Sequence, residues 1–445
     1  MNEGKSKILT KVGQEYWERA KQVIPGGNQL LSKRPEMFLP GLWPAYYEKA
    51  KGCEVWDVDG NKYYDFAMMG IGACTLGFAD DDVNSVVLEA VDAGSMATLN
   101  CYEEVLLAEK LVALHSWSDM VRFSRSGGEA CAIAVRIARA KTRRSKIAFC
   151  GYHGWHDWYL AANIEDKKNL DQQLLSGLDS DGVANELSGS ALPFSYNDIQ
   201  SLSNIINKNK NEIAAIFMEP VRSSEPDPHF LEAVRKLATD NDIVLIFDEI
   251  TSGFRNNIGG IHLTYRVDPD IAVFGKALGN GYPISAIIGS RDVMSAAQST
   301  FISSTMWTER IGFVAALATI DKMERLNVPA DLIKWGLRVN EIWSSAAKKS
   351  GVKIEITGIA PLTHINFIHE KSAEIQTLYT QEMLKRGFLA GGNVYATFAY
   401  TDEILDLFSE AVHEVFLEIM EVLLHGEFNE ALEGQPKHTG FQRLA

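Results

Sequence analysis

The chain has 445 residues and a formal net charge of −15 at pH 7, an acidity that argues against non-specific binding to nucleic acid or to an anionic membrane surface. Its five cysteines are scattered without a CxxC pair, so neither a disulfide framework nor a zinc cluster is expected. Because it lacks an apolar N-terminal signal segment and a charge-free run of about 20 apolar residues, we predict a soluble, cytoplasmic protein.

Residues 1–69 are predicted to form an N-terminal arm and a small β-rich layer. Apolar residues at helical spacing over 14–24 indicate an amphipathic helix that stops at Pro25-Gly26-Gly27. Alternating apolar and polar residues on both sides of Asp59-Gly60-Asn61 are typical of a β-hairpin. We expect this segment to pack with the C-terminal part of the chain.

Residues 70–325 are expected to form a large α/β domain, because short apolar runs alternate there with helical stretches. The runs are Met120–Phe123, Lys146–Cys150, Ile213–Met218, Ile243–Phe247 and Ile271–Phe274. This alternation predicts repeated βαβ units and a mostly parallel sheet. The long polar stretch 163–198 is interpreted as a mobile cover over the site.

Residues 326–445 are expected to form a separate, smaller α+β domain. Helical patterns flank two further apolar runs at 352–356 and 363–368. An amphipathic helix is predicted near residues 404–424. Neither an internal repeat nor a low-complexity tract interrupts this pattern.

Two charged residues lie just after apolar runs that we predict to be strands of the sheet. Asp248 comes after Ile243–Phe247, and Lys276 comes two residues after Ile271–Phe274. The ends of parallel strands meet at the edge where open α/β proteins bind ligands. A lysine there suits a Schiff base and a buried carboxylate suits a protonated pyridine nitrogen, so the pair indicates pyridoxal 5′-phosphate (PLP). Taken singly, the lysine would be a solvent-facing helix start, and the aspartate would equally well cap a helix.

The segment Ser126-Gly127-Gly128 lies between a predicted strand and the predicted helix 130–141. Backbone N–H groups at a helix start suit a phosphate, and the helix dipole adds partial positive charge. This segment is therefore our candidate phosphate site. Most Gly-Gly turns, however, only connect elements.

An aromatic cluster at 149–158 lies at another predicted strand end. Tyr152 is placed to stack on a pyridine ring, and His153, Trp155 or His156 to line the entrance. Structural hydrogen bonding is an equally good interpretation of the two histidines. We predict no metal site, because carboxylates and cysteines do not stand at ligand spacing around them.

Several motifs occur in an order that is more specific than any one of them. They are Ser126-Gly-Gly128, Gly151-Tyr-His-Gly154, Met218-Glu-Pro220, Asp248-Glu-Ile-Thr-Ser-Gly-Phe-Arg255 and Gly275-Lys276. Through them the chain resembles class III PLP-dependent aminotransferases over nearly its whole length. Within that class it is most similar to the glutamate-1-semialdehyde aminomutase branch, through Pro25-Gly-Gly27, Trp56–Asn61, Leu76-Gly77 and Ala390–Val394.

The resemblance implies the type I PLP-dependent transferase fold, with a mostly parallel seven-stranded sheet, and a homodimer with active sites at the subunit interface. It implies that Lys276 forms the Schiff base and that Asp248 pairs with the pyridine nitrogen. Tyr152 and Ile250 would pack on the two faces of the ring. The resemblance also assigns the phosphate to Gly127 and Gly128, with Thr305 reaching it from the partner subunit, and places Glu219 near the ring.

The chain departs from the family pattern at the phosphate site and at the substrate site. The family commonly has Ser-Gly-Thr where this chain has Ser126-Gly127-Gly128, so one hydroxyl ligand is missing and backbone or Ser126 must compensate. The C-terminal arginine that many members use for the substrate carboxylate is absent from 391–400, as in the aminomutase branch. Our substrate-binding candidates are Arg34, Arg222, Trp155 and His156, for each of which a structural role stays open.

We expect transamination between an amino donor and an oxo acceptor. The alternative is an intramolecular aminomutase of the glutamate-1-semialdehyde type, which differs in whether the oxo intermediate leaves before it is re-aminated. A non-catalytic PLP-binding protein is a more remote alternative. The presence of both Lys276 and Asp248 argues against it.

Overall fold

A computed structural model describes residues 10–171, 173, 176–221, 224–426 and 428–441. The chain forms two compact units, one of residues 81–330 and one that combines residues up to 80 with those from 331 onward. The proposed boundaries at 69 and 325 stay a prediction. Within the described ranges, no helix is long and apolar enough to cross a bilayer, and the cytoplasmic location stays a prediction.

The described residues form strands β1 to β14 and helices α1 to α15. In chain order the strands are Tyr47–Lys51, Glu54–Asp57, Lys62–Phe66, Met120–Ser124, Lys146–Cys150, Ala191–Pro193, Ile213–Met218, Val244–Asp248, Ile271–Phe274, Ser285–Gly289, Ile354–Thr357, Leu362–Phe367, Phe388–Ala390 and Asn393–Tyr395. The helices are Lys11–Val23, Met69–Gly72, Asp81–Asp92, Glu103–Leu114, Gly127–Thr142, Asp157–Leu160, Ile199–Lys208, Phe230–Asp240, His262–Tyr265, Arg291–Met294, Arg310–Leu326, Val328–Ser350, Ser372–Lys385, Asp402–His425 and Phe428–Ala431. Each of the five predicted parallel strands is present, with ends that differ by at most one residue.

The unit of residues 81–330 is built around a seven-stranded sheet in the order β4-β10-β9-β8-β7-β5-β6. Strand β10 runs antiparallel to both of its neighbours, and the other pairings are parallel. Strands β7, β8 and β9 are buried at every position, which explains their unbroken apolar sequence. The predicted mostly parallel α/β sheet is confirmed.

Helices cover both faces of this sheet. Alternate residues of β7 point to opposite sides: Phe217 packs with Ile133 and Ile137 of α5, whereas Ile216 packs with the core that α7 and α8 complete. Burial on both faces supplies the hydrophobic free energy that fixes the strands in place. Since β5, β7, β8 and β9 are parallel, their carboxyl ends lie along one edge of the sheet.

The polar stretch 163–198 is more ordered than its composition suggests. Its described residues include β6, the edge strand of the large sheet, and Leu170, which is fully buried. The Asn163 side chain accepts from the backbone N–H of Leu170 at 2.9 Å and donates to the carbonyl of Leu178 at 2.8 Å. The interpretation of this stretch as a mobile cover over the site stays a prediction.

The second unit contains two smaller sheets, β1-β2-β3-β13 and β11-β12-β14. The predicted hairpin is present between β2 and β3, where the Asp57 carboxylate accepts from the N–H groups of Asp59 and Asn61. Strand β13 pairs in parallel with β3, so the N-terminal and C-terminal segments of the chain share one sheet.

Candidate active site

The strand ends of the large sheet bring together four of the predicted site residues. Asp248 ends β8, Lys276 follows β9, Glu219 follows β7 and Tyr152 follows β5. The backbone N–H of Tyr152 donates to Oε2 of Glu219 at 3.1 Å. Burial raises the pKa of the Tyr152 hydroxyl, and the nearby Cys131 and Asp248 raise it further. Polar groups thus collect where parallel strands of an α/β sheet end.

The Asp248 carboxylate is buried and held by three donors. The backbone N–H of Ile250 donates to Oδ1 at 3.0 Å, the Cys131 thiol lies 3.6 Å from Oδ2, and Nδ1 of His153 lies 2.8 Å from the same oxygen. Nε2 of His153 is 3.2 Å from the carbonyl of Cys150. The shorter contact joins Nδ1 to a carboxylate oxygen, so we assign the N–H of the ring to Nδ1, which donates to Oδ2 of Asp248.

His153 lies beneath the site rather than at its entrance. The ring is 1% exposed and stacks on Phe217, with centroids 4.4 Å apart and planes 10° apart. Of the two interpretations of this histidine, structural hydrogen bonding is the one observed. Sequence reasoning could have weighed its position directly after a buried strand, but it could not identify Asp248 as the partner.

The Lys276 side chain contacts a residue that we had not predicted. Its Nζ donates to Oγ1 of Thr251 at 2.8 Å. The lysine backbone has φ 42°, a left-handed value that residues other than glycine seldom adopt and that is often found at functional sites. The nearest signal in the sequence is that Thr251 lies three residues after Asp248, on the same turn.

Ile250 occupies the space between two glycines. A Cβ on Gly127 would lie 2.8 Å from Cδ1 of Ile250, and a Cβ on Gly275 would lie 3.6 Å from its Cγ2. Gly127 thus permits the start of α5 to approach the turn that follows β8. This contact brings the candidate phosphate site next to Asp248 and Lys276.

The back of this turn is anchored in the core through Glu249. Oε1 of Glu249 accepts from the backbone N–H and from Nδ1 of His262, at 2.9 and 2.7 Å, and Oε2 accepts from the Ser252 hydroxyl at 2.6 Å. Burial raises the pKa of Glu249, but the hydrogen bonds from His262 and Ser252 outweigh it and hold that pKa below its usual value. The indole of Trp117 donates to Nε2 of His262 at 3.0 Å, so the turn is fixed on its inner side.

Helix α5 begins directly at the two glycines of the candidate phosphate site. Ser126 caps the helix, and Glu129 completes a capping box by accepting from the Ser126 backbone N–H at 3.0 Å. The imidazole of His156 lies against Gly128, whose Cβ would be 3.0 Å from Nδ1. The indole of Trp155 is 69% exposed and stacks on that imidazole, with centroids 4.6 Å apart.

Residues 41–416 match the model of a protein family described as aminotransferase class-III. The chain belongs to the class III aminotransferase family. It is 33% identical over 420 residues to a 3-aminobutyryl-CoA aminotransferase of Cloacimonas acidaminovorans, covering 92% of this chain and 97% of that protein. It is 32% identical over 426 residues to a glutamate-1-semialdehyde 2,1-aminomutase of Methanocaldococcus jannaschii, covering 90% and 97%.

Solved structures support the fold of this class III aminotransferase. The PLP internal aldimine form of the FumI protein of Sphingopyxis sp. MTA144 matches with a TM-score of 0.84 and 24% identity, over 96% of this chain and 98% of that one. An omega-transaminase from Sphaerobacter thermophilus matches with a TM-score of 0.80 and 24% identity, over 92% and 98%. The predicted fold class is thereby confirmed.

The residues at the sheet edge fit PLP, the cofactor of this family. A buried carboxylate and a lysine amine follow the neighbouring strands β8 and β9, and Ile250 contacts the glycine-lined start of α5; these groups suit a ring nitrogen, an aldehyde and a phosphate. A buried polar atom, Nδ1 of His156, has no hydrogen-bond partner among the described residues and adjoins the helix start. A ligand with hydrogen-bond acceptors would satisfy it.

The roles of three further predicted site residues stay predictions. Thr305 is exposed at the start of a short helical turn, 305–308. Arg34 belongs to the other unit and lies beside Gly26. Arg222 lies outside the described residues, so its role as a substrate ligand stays a prediction.

Proposed function

We propose that this chain is an aminotransferase that moves an amino group from a donor to an oxo acceptor, with PLP held where β8 and β9 end. One observation carries the proposal. Asp248 begins the turn 248–251 and accepts a hydrogen bond from Ile250 within it. Lys276 follows a different strand, and its amine donates to Thr251 of the same turn. The two groups that PLP chemistry needs are thus held by one short segment.

PLP, when bound, supplies an aldehyde that takes up an amino group and a ring that draws electrons from the substrate carbon. Asp248 would hold this ring through a hydrogen bond from its protonated nitrogen. The hydrogen bonds from Nδ1 of His153 and from the N–H of Ile250 keep the carboxylate oriented. Tyr152 and Ile250 would pack on the two faces of the ring, and Glu219, which is buried, would lie near it.

Lys276 carries the proton between substrate atoms once its amine is released by the incoming substrate. The hydroxyl of Thr251 can accept a hydrogen bond from an ammonium and donate one to a neutral amine. The 2.8 Å contact between Nζ and Oγ1 can therefore persist while the lysine takes up and returns a proton. We assign Thr251 to positioning the lysine.

The phosphate group is assigned to the backbone N–H groups of Gly127 and Gly128. Helix α5 has 16 residues, long enough for its dipole to favour an anion at this end. Thr305 of a second copy is proposed to contribute from the partner subunit. Its exposure on the surface of unit 81–330 is consistent with that role.

A homodimer is supported by an apolar surface on the unit of residues 81–330. The exposed large apolar side chains there include Leu88, Val91, Met96, Leu99, Tyr102, Val105, Leu106, Phe301 and Met306. Arg310 ties the two contributing segments together, because its N–H donates to the carbonyl of Ser95 at 2.9 Å and its Nε donates to Glu103 at 3.0 Å. Exposed large apolar side chains grouped along two linked segments are typical of a protein interface, and we assign a second copy of this chain to it.

The names of the relatives supply the first substrates to test. One relative is named for 3-aminobutyryl-CoA and others for glutamate-1-semialdehyde. The PLP-loaded protein is mixed with each amine, with and without an oxo acceptor such as 2-oxoglutarate or pyruvate. Release of the oxo product together with amination of the acceptor supports the aminotransferase.

The aminomutase is the second candidate function, because three archaeal relatives at 30–32% identity carry that name. Migration of the amino group within glutamate-1-semialdehyde, without any acceptor, would replace our proposal with it. A PLP-loaded protein that shows no half-reaction with any amine tested would instead be a non-catalytic PLP-binding protein.

A further inference from the structure

At the first turn of α5, an anion can bind to backbone N–H groups. The two glycines there supply no side-chain hydroxyl. Ser126 uses its hydroxyl in the capping box, and the Glu129 carboxylate accepts from the N–H groups of Ser126 and Arg125 at 3.0 and 3.1 Å. A carboxylate at this turn repels an anion. A further donor from another segment of the chain would therefore strengthen the binding of a doubly charged phosphate.

The imidazole of His156 fills the space that a side chain at position 128 would occupy. A Cβ on Gly128 would lie 3.0 Å from both Nδ1 and Cε1 of His156. A Cβ on Gly154 would lie 3.0 Å from Cα of Gly128, so the loop after β5 packs its backbone against the first turn of α5. Glycine at position 128 and histidine at position 156 therefore depend on each other sterically.

Nδ1 of His156 is buried and has no hydrogen-bond partner among the described residues. A buried polar atom without a partner costs free energy, and native structures usually satisfy such atoms. Burial lowers the pKa of His156, although Glu129 and Asp157 oppose the shift, so the neutral ring carries one N–H. A ligand that accepts from Nδ1 would fix that hydrogen on Nδ1.

We infer that His156 donates from Nδ1 to the phosphate of PLP and takes the place of the side-chain ligand that Gly128 lacks. The inference rests on the proposed function for the identity of the ligand. It makes His156 a cofactor-binding residue of this chain rather than a substrate-binding one. Trp155, stacked on the outer face of the ring, shields the contact from solvent.

The test compares PLP with pyridoxal, which lacks the phosphate, as ligands of the apoprotein. Dissociation constants are measured by absorbance and fluorescence titration for the wild type, His156→Ala and His156→Asn. Loss of one hydrogen bond to a charged group should weaken PLP binding about 10-fold to 100-fold in the alanine variant. Pyridoxal binding should not change, and asparagine, whose amide can donate from a similar place, should restore part of the PLP affinity.

His229→Ala is the matched control, because this histidine is on the same unit and its side chain is 89% exposed. Its affinities for both ligands should equal those of the wild type. If His156→Ala weakens PLP and pyridoxal equally, the histidine acts through the local fold and the inference is wrong. Unchanged PLP affinity in that variant overturns it as well.

A second pair of variants tests the steric dependence between positions 128 and 156. Gly128→Thr alone should weaken PLP binding, because the new Cβ displaces the imidazole. In the His156→Ala background the same substitution should strengthen PLP binding, because a threonine hydroxyl can then reach the phosphate. An effect of the same sign in both backgrounds would contradict the inference.

Failure of the inference can be told apart from failure of the proposed function. A wild-type apoprotein that takes up neither PLP nor pyridoxal contradicts the proposed function. A wild type that binds PLP, with variants that bind it equally well, contradicts only the role of His156. Circular dichroism of each variant shows whether the fold is retained. If His156→Ala is unfolded, His156→Asn decides the question: a partial loss of PLP affinity with unchanged pyridoxal affinity supports the inference, and equal changes for both ligands overturn it.

Discussion

Replacement of His153 by alanine tests whether Asp248 is held as a buried charge. His153 is the only described residue whose ring nitrogen lies within hydrogen-bond distance of that carboxylate, at 2.8 Å, and both side chains are almost fully buried. Without the imidazole, Asp248 keeps its contacts with Ile250 and Cys131 but loses its hydrogen bond with Nδ1. The stack of His153 on Phe217 is lost as well.

The expected loss of stability follows from the burial of the pair. Removing one partner of a buried ionic pair costs about 3–5 kcal/mol, because the other is left uncompensated in a poorly solvated site. We therefore expect His153→Ala to lower the free energy of unfolding of the apoprotein by about 3–5 kcal/mol. His153→Asn, whose amide can replace one donor, should lose about half as much.

A double-mutant cycle measures this coupling directly. Urea unfolding is followed for the wild type, His153→Ala, Asp248→Asn and the double variant, all without PLP. The two changes should be non-additive by about 2 kcal/mol, since the double variant no longer contains an unpaired charge. A matched cycle on the exposed pair His229 and Glu232 should be additive. Additivity within about 0.5 kcal/mol at positions 153 and 248 would refute the reasoning.

Three further predictions concern the lysine, an acid-sensitive core histidine and the dimer. Thr251→Val should lower kcat about 3-fold to 10-fold with little change in KM, whereas Thr251→Ser should keep the wild-type rate; equal rates for both variants would remove its positioning role. Burial lowers the pKa of His115 from its usual 6.5 to about 4, so only the unfolded chain binds a proton between these values. The free energy of unfolding should therefore fall by about 3 kcal/mol as the pH drops through that window. A His115→Gln variant whose free energy of unfolding falls equally with pH would contradict this. Leu99→Glu, at a side chain that is 82% exposed, should shift sedimentation from dimer to monomer, and an unchanged sedimentation coefficient would exclude Leu99 from the interface.

The strands of the large sheet were predictable because parallel strands buried on both faces are apolar along their whole length. Ile213–Met218 and Ile271–Phe274 are examples, and both match the prediction at each end. The same pattern predicted that Asp248 and Lys276 lie at one edge of the sheet, because parallel strands end at the same edge. Local sequence was sufficient wherever the structure repeats a regular element.

Contacts between distant segments were not predictable in the same way. Thr251 meets Lys276 across 25 residues of sequence, and His153 meets Asp248 across 95. Both contacts depend on the order of strands in the sheet, which no local pattern specifies. The buried positions within 163–198 were not predictable either, because its few apolar residues, Leu170 above all, are buried one by one rather than in a periodic run.

The central claim is that one lysine at the end of β9 holds the cofactor. Apoprotein is mixed with PLP, reduced with borohydride and digested, and the labelled peptide is identified by mass spectrometry. The account predicts one label on Lys276, lost in Lys276→Ala together with amino transfer and unaffected in the exposed control Lys236→Ala. A label on any other lysine, or no label in the wild type, would contradict the account.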